Sequence, residues 1–307
     1  MAGIATVFLA LCRSGDRIVA ARQLYGNTYS ILARRLPNYG ITTSFADVGD
    51  LDAIRASAPG AKLIYCETIG NPIVEVADLP ALAEIAQAAG IPLVVDNTFA
   101  SPILCRPLEH GASIVLHSAT KYIGGHHDLM GGVVCSSPDL LEPIRALARD
   151  LGPTLSPFAA WLCLRGLATI HLRTERASET ALAVARFLAT RPDIESVNYP
   201  GLESDRGFAL AAKLMDGRGG GVLGFSVGGG RDRAGRFQES LQLIAPAASL
   251  GGTHSLIVHA PSITHTQLSD DELRAAGISE GFCRLAIGLE DADDLIADLE
   301  QALDRTA

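Results

Sequence analysis

The chain has 307 residues, of which 48% are hydrophobic, enough to bury a large core in one large domain with a smaller one, or in two domains. The formal net charge is −9 and the acidic residues are spread along the chain, which argues against nucleic acid or a membrane as a partner. The six cysteines are scattered without a CxxC pair, so we expect reduced thiols in a cytoplasmic protein rather than disulfides or a zinc site.

The first predicted element is a helix over residues 1–12. This segment is apolar, but it lacks the basic start of a signal peptide and a strand-like segment follows it. No capping residue precedes the helix, so the sequence predicts further chain upstream of Met1.

Short apolar runs then alternate with helix-like segments. The runs predict strands whose residues are apolar throughout, as in strands covered on both faces: 16–21, 41–45, 62–68, 92–98, 113–118 and 131–136. The amphipathic segment 79–90 predicts a helix that ends at Gly90. This alternation is typical of a mainly parallel sheet wound with helices.

The pattern changes near Pro157. One long helical run covers residues 158–190, and more widely separated strands follow at 194–199, 220–227, 255–260 and 282–288. A last helix is predicted at 291–303, where acidic residues begin the segment. We therefore expect a large α/β domain over residues 1–174, with the long helix as its connector, and a smaller α+β domain over 175–307.

Ligands of open α/β sheets bind beyond the carboxyl ends of the strands. Polar residues follow several of the predicted strands at that edge, and those to inspect are Tyr25, Glu67, Thr68, Asn71, Asp96, Ser118, Thr120 and Lys121. Asp96 ends an apolar strand and either caps its own turn or pairs with a cationic ring nitrogen. Lys121 is either a solvated turn lysine or a catalytic amine.

Together, Asp96 and Lys121 match the needs of pyridoxal phosphate (PLP), which uses a Schiff-base lysine and a carboxylate on its pyridinium nitrogen. Ser118 and Thr120 are hydroxyls that either hold a phosphate or serve as turn residues. Arg284 lies in an apolar strand and either binds an α-carboxylate or forms an internal salt bridge.

Histidines and glycine-rich stretches give weaker signals. Adjacent His126 and His127 point in different directions and have no partner pair with ligand spacing, so no metal site is predicted. The stretches 217–221 and 228–231 lack the spacing of a phosphate-binding loop.

The whole sequence resembles the Cys/Met-metabolism PLP enzymes, the trans-sulfuration family. The matching stretches occur in family order: YGNTY (25–29), ETIGNP (67–72), VVDNTFASP (95–102), HSATKYIGGHHD (117–128), LRGLATI (164–170), SLGGTHSLIVHAPSITH (249–265) and GISEGFCRLAIGLED (277–291). The family includes cystathionine γ-synthase, cystathionine γ-lyase, methionine γ-lyase and O-acetylhomoserine sulfhydrylase. The resemblance implies the aspartate-aminotransferase type of fold, fold type I of the PLP enzymes.

The resemblance implies a role for each cofactor-binding candidate. Lys121 would form the Schiff base with PLP, and Asp96 would pair with the pyridine nitrogen. Asn71 would contact the phenolic oxygen of the ring, and Ser118 and Thr120 would contact the phosphate.

The resemblance also implies the substrate side of the site and the assembly. Tyr25 would stack on the cofactor ring and assist the leaving group, and Arg284 would bind the substrate carboxylate in a pocket that Ser249 lines. The substrate would be a small amino acid, and the protein a homotetramer built from dimers that share active sites.

The sequence departs from the family pattern in its upstream length and at three residues, and the residue differences leave the substrate open. Family members have roughly a quarter more chain upstream, where groups reach the phosphate of a neighbouring subunit. Asn27 stands where methionine γ-lyases carry cysteine, His254 replaces a glutamate of the cystathionine enzymes, and His127 replaces a small residue. We expect γ-elimination or γ-replacement on a sulfur-containing or O-acylated homoserine-type amino acid, with a slight preference for a lyase.

Two alternatives stay open from the sequence. One is a shortened, non-catalytic or weakly cofactor-binding subunit of the same fold. The other is a different enzyme on an α/β sheet, such as a nicotinamide dehydrogenase, which the missing GxGxxG after the first strand disfavours.

Overall fold

A computed structural model describes residues 1–263, 273 and 277–307. The chain forms two compact units. The first contains residues 1–71, 77–120 and 128–165, and the second contains residues 72–76, 121–127 and 166–307. The domain boundary expected between residues 174 and 175 stays a prediction. The last two residues of the matching stretch 249–265 lie outside the described residues.

The first unit is built on a six-stranded sheet that confirms the predicted mainly parallel arrangement. Its strands are β1 (Arg17–Ala21), β2 (Thr42–Ala46), β3 (Leu63–Glu67), β4 (Leu93–Asp96), β5 (Ile114–Ser118) and β6 (Gly132–Ser136). They lie in the order β2-β1-β3-β4-β5-β6, and only β6 runs antiparallel to its neighbour. Every residue of β3 is buried, which explains why the strand is apolar on both faces.

The helices that begin in the first unit are α1 (Ala2–Leu11), α2 (Gly26–Ser30), α3 (Leu51–Ser57), α4 (Leu79–Ala89), α5 (Ser101–Leu104), α6 (Pro138–Leu151) and α7 (Pro157–Leu167). The predicted ends of α4 are confirmed: the Asp78 side chain accepts a hydrogen bond from the Ala81 amide, and Gly90 ends the helix with a φ of 67°. The predicted first helix is confirmed as α1, whose Phe8 packs edge-on against Tyr65 at 5.1 Å between ring centroids.

The second unit contains a five-stranded sheet and further helices. Its elements are α8 (Ile170–Thr190), β7 (Ile194–Asn198), α9 (Phe208–Met215), β8 (Val222–Val227), α10 (Gly230–Ser240), β9 (Ala245–Pro246), β10 (Leu256–His259), α11 (Ala260–Ile263), β11 (Phe282–Ala286) and α12 (Ala292–Arg305). The strand order is β7-β8-β11-β10-β9, with only β9 and β10 parallel. Asp291 caps α12 through the Asp293 amide, as the acidic start of that segment indicates.

The long helix expected over 158–190 is wrong in one respect, because the structure divides it into α7 and α8. Thr169 interrupts the helical backbone with φ −119° and ψ 7°. The Gly166 carbonyl accepts hydrogen bonds from the Thr169 amide at 3.2 Å, which closes a tight turn, and from the Arg173 guanidinium at 2.7 Å. The helical periodicity of the segment does not reveal this turn.

None of the helices among the described residues combines the length and apolar character that a membrane crossing needs.

Candidate active site

The carboxyl ends of the parallel strands β1, β3, β4 and β5 meet at one edge of the first sheet, where polar side chains collect. Glu67 and Asp96, the last residues of β3 and β4, are paired neighbours in the sheet. Ser118 ends β5, next to β4. The predicted gathering of polar residues at this edge is therefore present in the first unit.

Asp96 is tied to its own turn through a single oxygen atom. Its Oδ1 accepts hydrogen bonds from the Thr98 amide at 3.0 Å and from the Thr98 hydroxyl at 2.5 Å. The Thr98 hydroxyl in turn accepts a hydrogen bond from the Ser118 amide at 2.8 Å. The turn-capping interpretation of Asp96 is thus present, while Oδ2 takes part in neither of these turn bonds.

Burial sets the charge preference of Asp96. Removal of water from the carboxylate raises its pKa above the ordinary value, although the Thr98 hydrogen bonds oppose this shift. A cation beside the carboxylate would therefore stabilise its charged form.

Glu67 binds the backbone of two candidates, a role that its position at a strand end did not by itself predict. Its carboxylate is 6% exposed. Oε1 accepts from the Tyr25 amide at 2.7 Å, and Oε2 accepts from the Asn71 amide at 3.2 Å. The signal was available, because Glu67 is an acid that ends an apolar strand, as Asp96 does.

Tyr25 follows β1 and is accessible from solvent, with 44% of its surface exposed. Its phenol oxygen accepts a hydrogen bond from the Asn27 side-chain amide at 3.0 Å. The phenol therefore lies where a ligand could reach it, with Asn27 beside it as a hydrogen-bond donor.

Thr120 uses its hydroxyl within its own loop. Oγ1 accepts from the Gly131 amide at 3.1 Å and lies 3.4 Å from the Gly131 carbonyl oxygen. This is the turn-residue interpretation of Thr120, and its phosphate contact stays a prediction.

In the second unit, Lys121, Ser249 and Arg284 form one cluster. The Lys121 ammonium donates to the Ser249 hydroxyl at 2.8 Å, and the Arg284 guanidinium donates to the Ser249 carbonyl at 3.2 Å. Arg284 is 5% exposed and lies in β11, which positions it from the middle of the sheet. The structure thus brings together the predicted amine, carboxylate-binding cation and pocket serine.

The pKa of Lys121 is lowered to about 8, first by burial and second by the positive charge of Arg284. An amine with this pKa is partly neutral near physiological pH, and the neutral amine is the nucleophilic form. The cluster therefore contains a reactive amine next to a cation that can bind an anion.

The remaining histidine candidates lie at the surface. The ring of His127 occupies the space that a Cβ atom on Gly252 would need, and His254 Nδ1 lies 3.0 Å from the Thr253 hydroxyl. His126 Nδ1 lies 2.8 Å from the Gly124 carbonyl oxygen. Within the described part of the chain, no group of three acidic, cysteine or histidine side chains is arranged to hold a metal ion.

Known proteins resemble this chain over nearly its whole length. The profile of the Cys/Met metabolism PLP-dependent enzyme family matches residues 1–304. The chain is 41% identical to an L-methionine gamma-lyase of Pseudomonas putida over 310 residues, covering all of this chain and 78% of that protein. It is 41% identical to an O-succinylhomoserine sulfhydrylase of Pseudomonas aeruginosa over 304 residues, covering 99% of this chain and 75% of that protein.

A solved structure from Campylobacter jejuni, an O-acetylhomoserine (thiol)-lyase by description, superposes with a TM-score of 0.94 at 36% identity. The match covers 98% of this chain and 81% of that one, and that structure contains N'-pyridoxyl-lysine-5'-monophosphate.

The fold and the strand-end residues define a fold type I α/β enzyme of the aspartate-aminotransferase type. The chain belongs to the family of Cys/Met metabolism PLP-dependent enzymes. Its relatives include both lyases and sulfhydrylases of sulfur amino-acid metabolism.

The described residues fit the family's cofactor. Lys121 offers a partly buried amine whose lowered pKa favours the neutral form, and the neutral amine is the form that bonds to a carbonyl carbon. Asp96 offers a poorly hydrated carboxylate that a ring N–H cation would stabilise.

Proposed function

We propose that this chain catalyses γ-elimination or γ-replacement on a sulfur-containing or O-acylated homoserine-type amino acid, with PLP held on Lys121. The observation that carries the proposal is the Lys121–Ser249–Arg284 cluster. In it, a reactive amine and a buried cation both donate hydrogen bonds to Ser249. The family membership supports both elimination and replacement as candidate reactions. A gamma-lyase and a sulfhydrylase are each 41% identical to this chain.

The chain's residues would divide the work of holding the cofactor. Lys121 would hold its carbonyl carbon, Asp96 would keep the proton on its pyridine nitrogen, and Asn71 would contact its phenolic oxygen. Ser118 and Thr120 would bind its phosphate. PLP, when bound, supplies the electron sink that makes a Cα proton of the substrate removable.

The substrate would be bound and oriented by the remaining residues. The Arg284 guanidinium has the planar fork that binds a carboxylate through two hydrogen bonds, and the substrate's α-carboxylate would lie there, with Ser249 beside it. Once the substrate's amine has displaced it from the cofactor, Lys121 would be the base for the Cα proton, because burial keeps a fraction of the free amine neutral. Tyr25, exposed and hydrogen-bonded to Asn27, would stack on the cofactor ring and give a proton to the departing γ-group.

We propose in addition a cytoplasmic homotetramer made of two dimers with shared active sites. Helix α7 supports association, since Phe158, Trp161 and Leu164 are 67%, 55% and 70% exposed. Phe158 and Trp161 also stack on each other at 5.9 Å between ring centroids. Large apolar side chains exposed together on one helix are typical of an interface.

A PLP titration tests the proposal directly. Addition of PLP to the purified chain should produce a visible absorbance band, and Lys121→Ala should lack the band. Lys62→Ala is the matched control, because Lys62 is exposed at the surface and should leave the band unchanged.

Product analysis then separates the two reactions. Ammonia and a 2-oxo acid released from methionine or cystathionine would indicate elimination. A thioether or thiol product that forms from O-acetylhomoserine only when a thiol or sulfide is added would indicate replacement. A chain that binds PLP but gives neither product would support the non-catalytic alternative.

A further inference from the structure

The segment that follows Lys121 is a tight turn whose backbone the second unit holds from several sides. The Gly125 amide donates to the Lys121 carbonyl at 2.7 Å, and Gly125 has a φ of 74°, which favours glycine. The orientation of this turn fixes the direction in which the Lys121 side chain leaves the backbone.

Arg173, in the first turn of α8, binds this turn from one side. Its guanidinium donates to the Tyr122 carbonyl at 2.9 Å, to the Gly166 carbonyl at 2.7 Å and to the Thr169 hydroxyl at 3.1 Å. Arg173 is 6% exposed, and burial lowers its pKa. A buried guanidinium bound to neutral acceptors has little freedom to move, because each lost hydrogen bond leaves a desolvated donor.

Glycines let the neighbouring backbone approach the turn without a gap. A Cβ atom on Gly125 would overlap the Arg173 guanidinium, so the turn lies directly against that side chain. On another side, a Cβ atom on Gly251 would lie 2.7 Å from the Tyr122 amide nitrogen and 3.1 Å from the Lys121 carbonyl carbon. Displacement of the Lys121 backbone is therefore opposed by contacts with both Arg173 and Gly251.

We propose that Arg173 is a positioning residue for Lys121. By binding the carbonyl of Tyr122, the next residue in the chain, it holds the Lys121 amine against the Ser249 hydroxyl and near Arg284. The inference rests on the proposed function for its catalytic meaning, but the contacts that carry it lie within the second unit and can be tested without cofactor.

A structural role alone is the competing explanation. Arg173 also binds the carbonyl of Gly166, near the end of α7, so it could act only by closing that helix. The two explanations differ in their effect on Lys121. Loss of a helix cap lowers stability, whereas loss of positioning also changes the surroundings of the Lys121 amine and therefore its pKa.

The experiment measures the reactivity of Lys121 in the cofactor-free full chain. Trace acetylation with acetic anhydride between about pH 6 and about pH 11, followed by mass spectrometry, gives the titration midpoint of each lysine. Lys62 and Lys213, the other lysines of the sequence, are exposed and serve as internal references. The wild-type midpoint at Lys121 should be about 8.

In Arg173→Met the Lys121 midpoint should rise by about one unit or more, toward the ordinary lysine value. Arg173→Lys keeps a cation but cannot donate to three acceptors at once, so it should restore only part of the shift. The control is Arg176→Met on the same helix, whose guanidinium is exposed, and it should leave the midpoint unchanged.

A folded Arg173→Met protein with the wild-type midpoint at Lys121 would overturn the proposal and favour the capping role. If Arg173→Met does not fold, Arg173→Lys decides the question: a shifted midpoint supports positioning, and an unchanged one overturns it. Failure of the wild-type chain to bind PLP would refute the proposed function, yet it would leave this readout intact.

Discussion

The strand-end cluster of the first unit and the Lys121 cluster of the second unit carry opposite charges, yet burial acts on both in the same way. In the first cluster, burial raises the pKa of Asp96. In the second, burial lowers the pKa of Lys121 to about 8. In each group the protonation equilibrium is shifted toward the neutral form, because desolvation disfavours charge of either sign.

The two clusters differ in how their groups are held. Asp96 is fixed locally, by hydrogen bonds from Thr98 two residues away. Lys121 is fixed by Ser249, 128 residues further along the chain. Substitutions near Asp96 should therefore have local effects, while the Lys121 cluster depends on the packing of the whole second unit.

The largest effect is expected when the negative charge of Asp96 is removed. Asp96→Asn keeps an oxygen that accepts from Thr98, but it removes the charge that would hold a proton on the ring nitrogen. We expect kcat/KM with the best substrate to fall about 1,000-fold. Steady-state kinetics of Asp96→Asn provides the measurement, with Asp52→Asn as the control because the Asp52 side chain is 92% exposed.

The next largest effect concerns the cation beside Lys121. Arg284→Lys retains a positive charge but loses the two-pronged hydrogen bonding of the guanidinium. We expect kcat/KM to fall about 100-fold, mainly through a higher KM, because carboxylate binding is weakened. Arg186→Lys on the exposed side of α8 is the control. An equal KM in both variants would show that Arg284 does not bind the substrate carboxylate.

A smaller effect should follow the loss of the Thr98 hydroxyl. Thr98→Val deletes the hydrogen bonds to Asp96 and from the Ser118 amide. We expect kcat/KM to fall about 10-fold and the free energy of unfolding to fall by about 1–2 kcal/mol. Thr43→Val, which loses a single hydrogen bond to the Leu32 carbonyl, should lower stability without changing kcat/KM.

The smallest effect is a gain in stability. Lys121→Met removes a desolvated ammonium and its repulsion from Arg284, so the cofactor-free chain should gain about 1–2 kcal/mol at pH 7. The folded pKa lies below the unfolded one, so between about pH 8 and 10.5 the unfolded wild type binds more protons and wild-type stability rises with pH.

The advantage of Lys121→Met should therefore shrink through that pH range. Urea unfolding at pH 7 and at about pH 10 measures it, with Lys62→Met as the exposed control. A stability difference that does not change with pH would contradict the lowered pKa of Lys121.

The sequence was most informative where strands are buried on both faces. β3 and β5 are almost wholly buried, so their apolar runs identified them within a residue of their ends. Because the strands were predicted to be parallel, their carboxyl ends could be predicted to share one edge of the sheet. Asp96 and Ser118 were therefore predicted to lie at that edge.

Features that depend on distant contacts could not be predicted in the same way. The break between α7 and α8 lies beside Gly166, whose backbone packs against residues 123–124, some 40 positions earlier. Glu67 is recognisable in the sequence as an acid that ends an apolar strand, but the hydrogen bond that it accepts from the Tyr25 backbone amide joins residues 42 positions apart. β9 has two residues, too few to give a periodic signal.

Locating the lysine that carries PLP tests the assignment of Lys121 directly. The chain should be saturated with PLP, reduced with borohydride and digested, and its lysine peptides analysed by mass spectrometry. We predict a pyridoxyl group on Lys121 at near-stoichiometric yield, with little on the exposed Lys62 and Lys213. Equal labelling of the three lysines, or none on Lys121, would contradict this assignment.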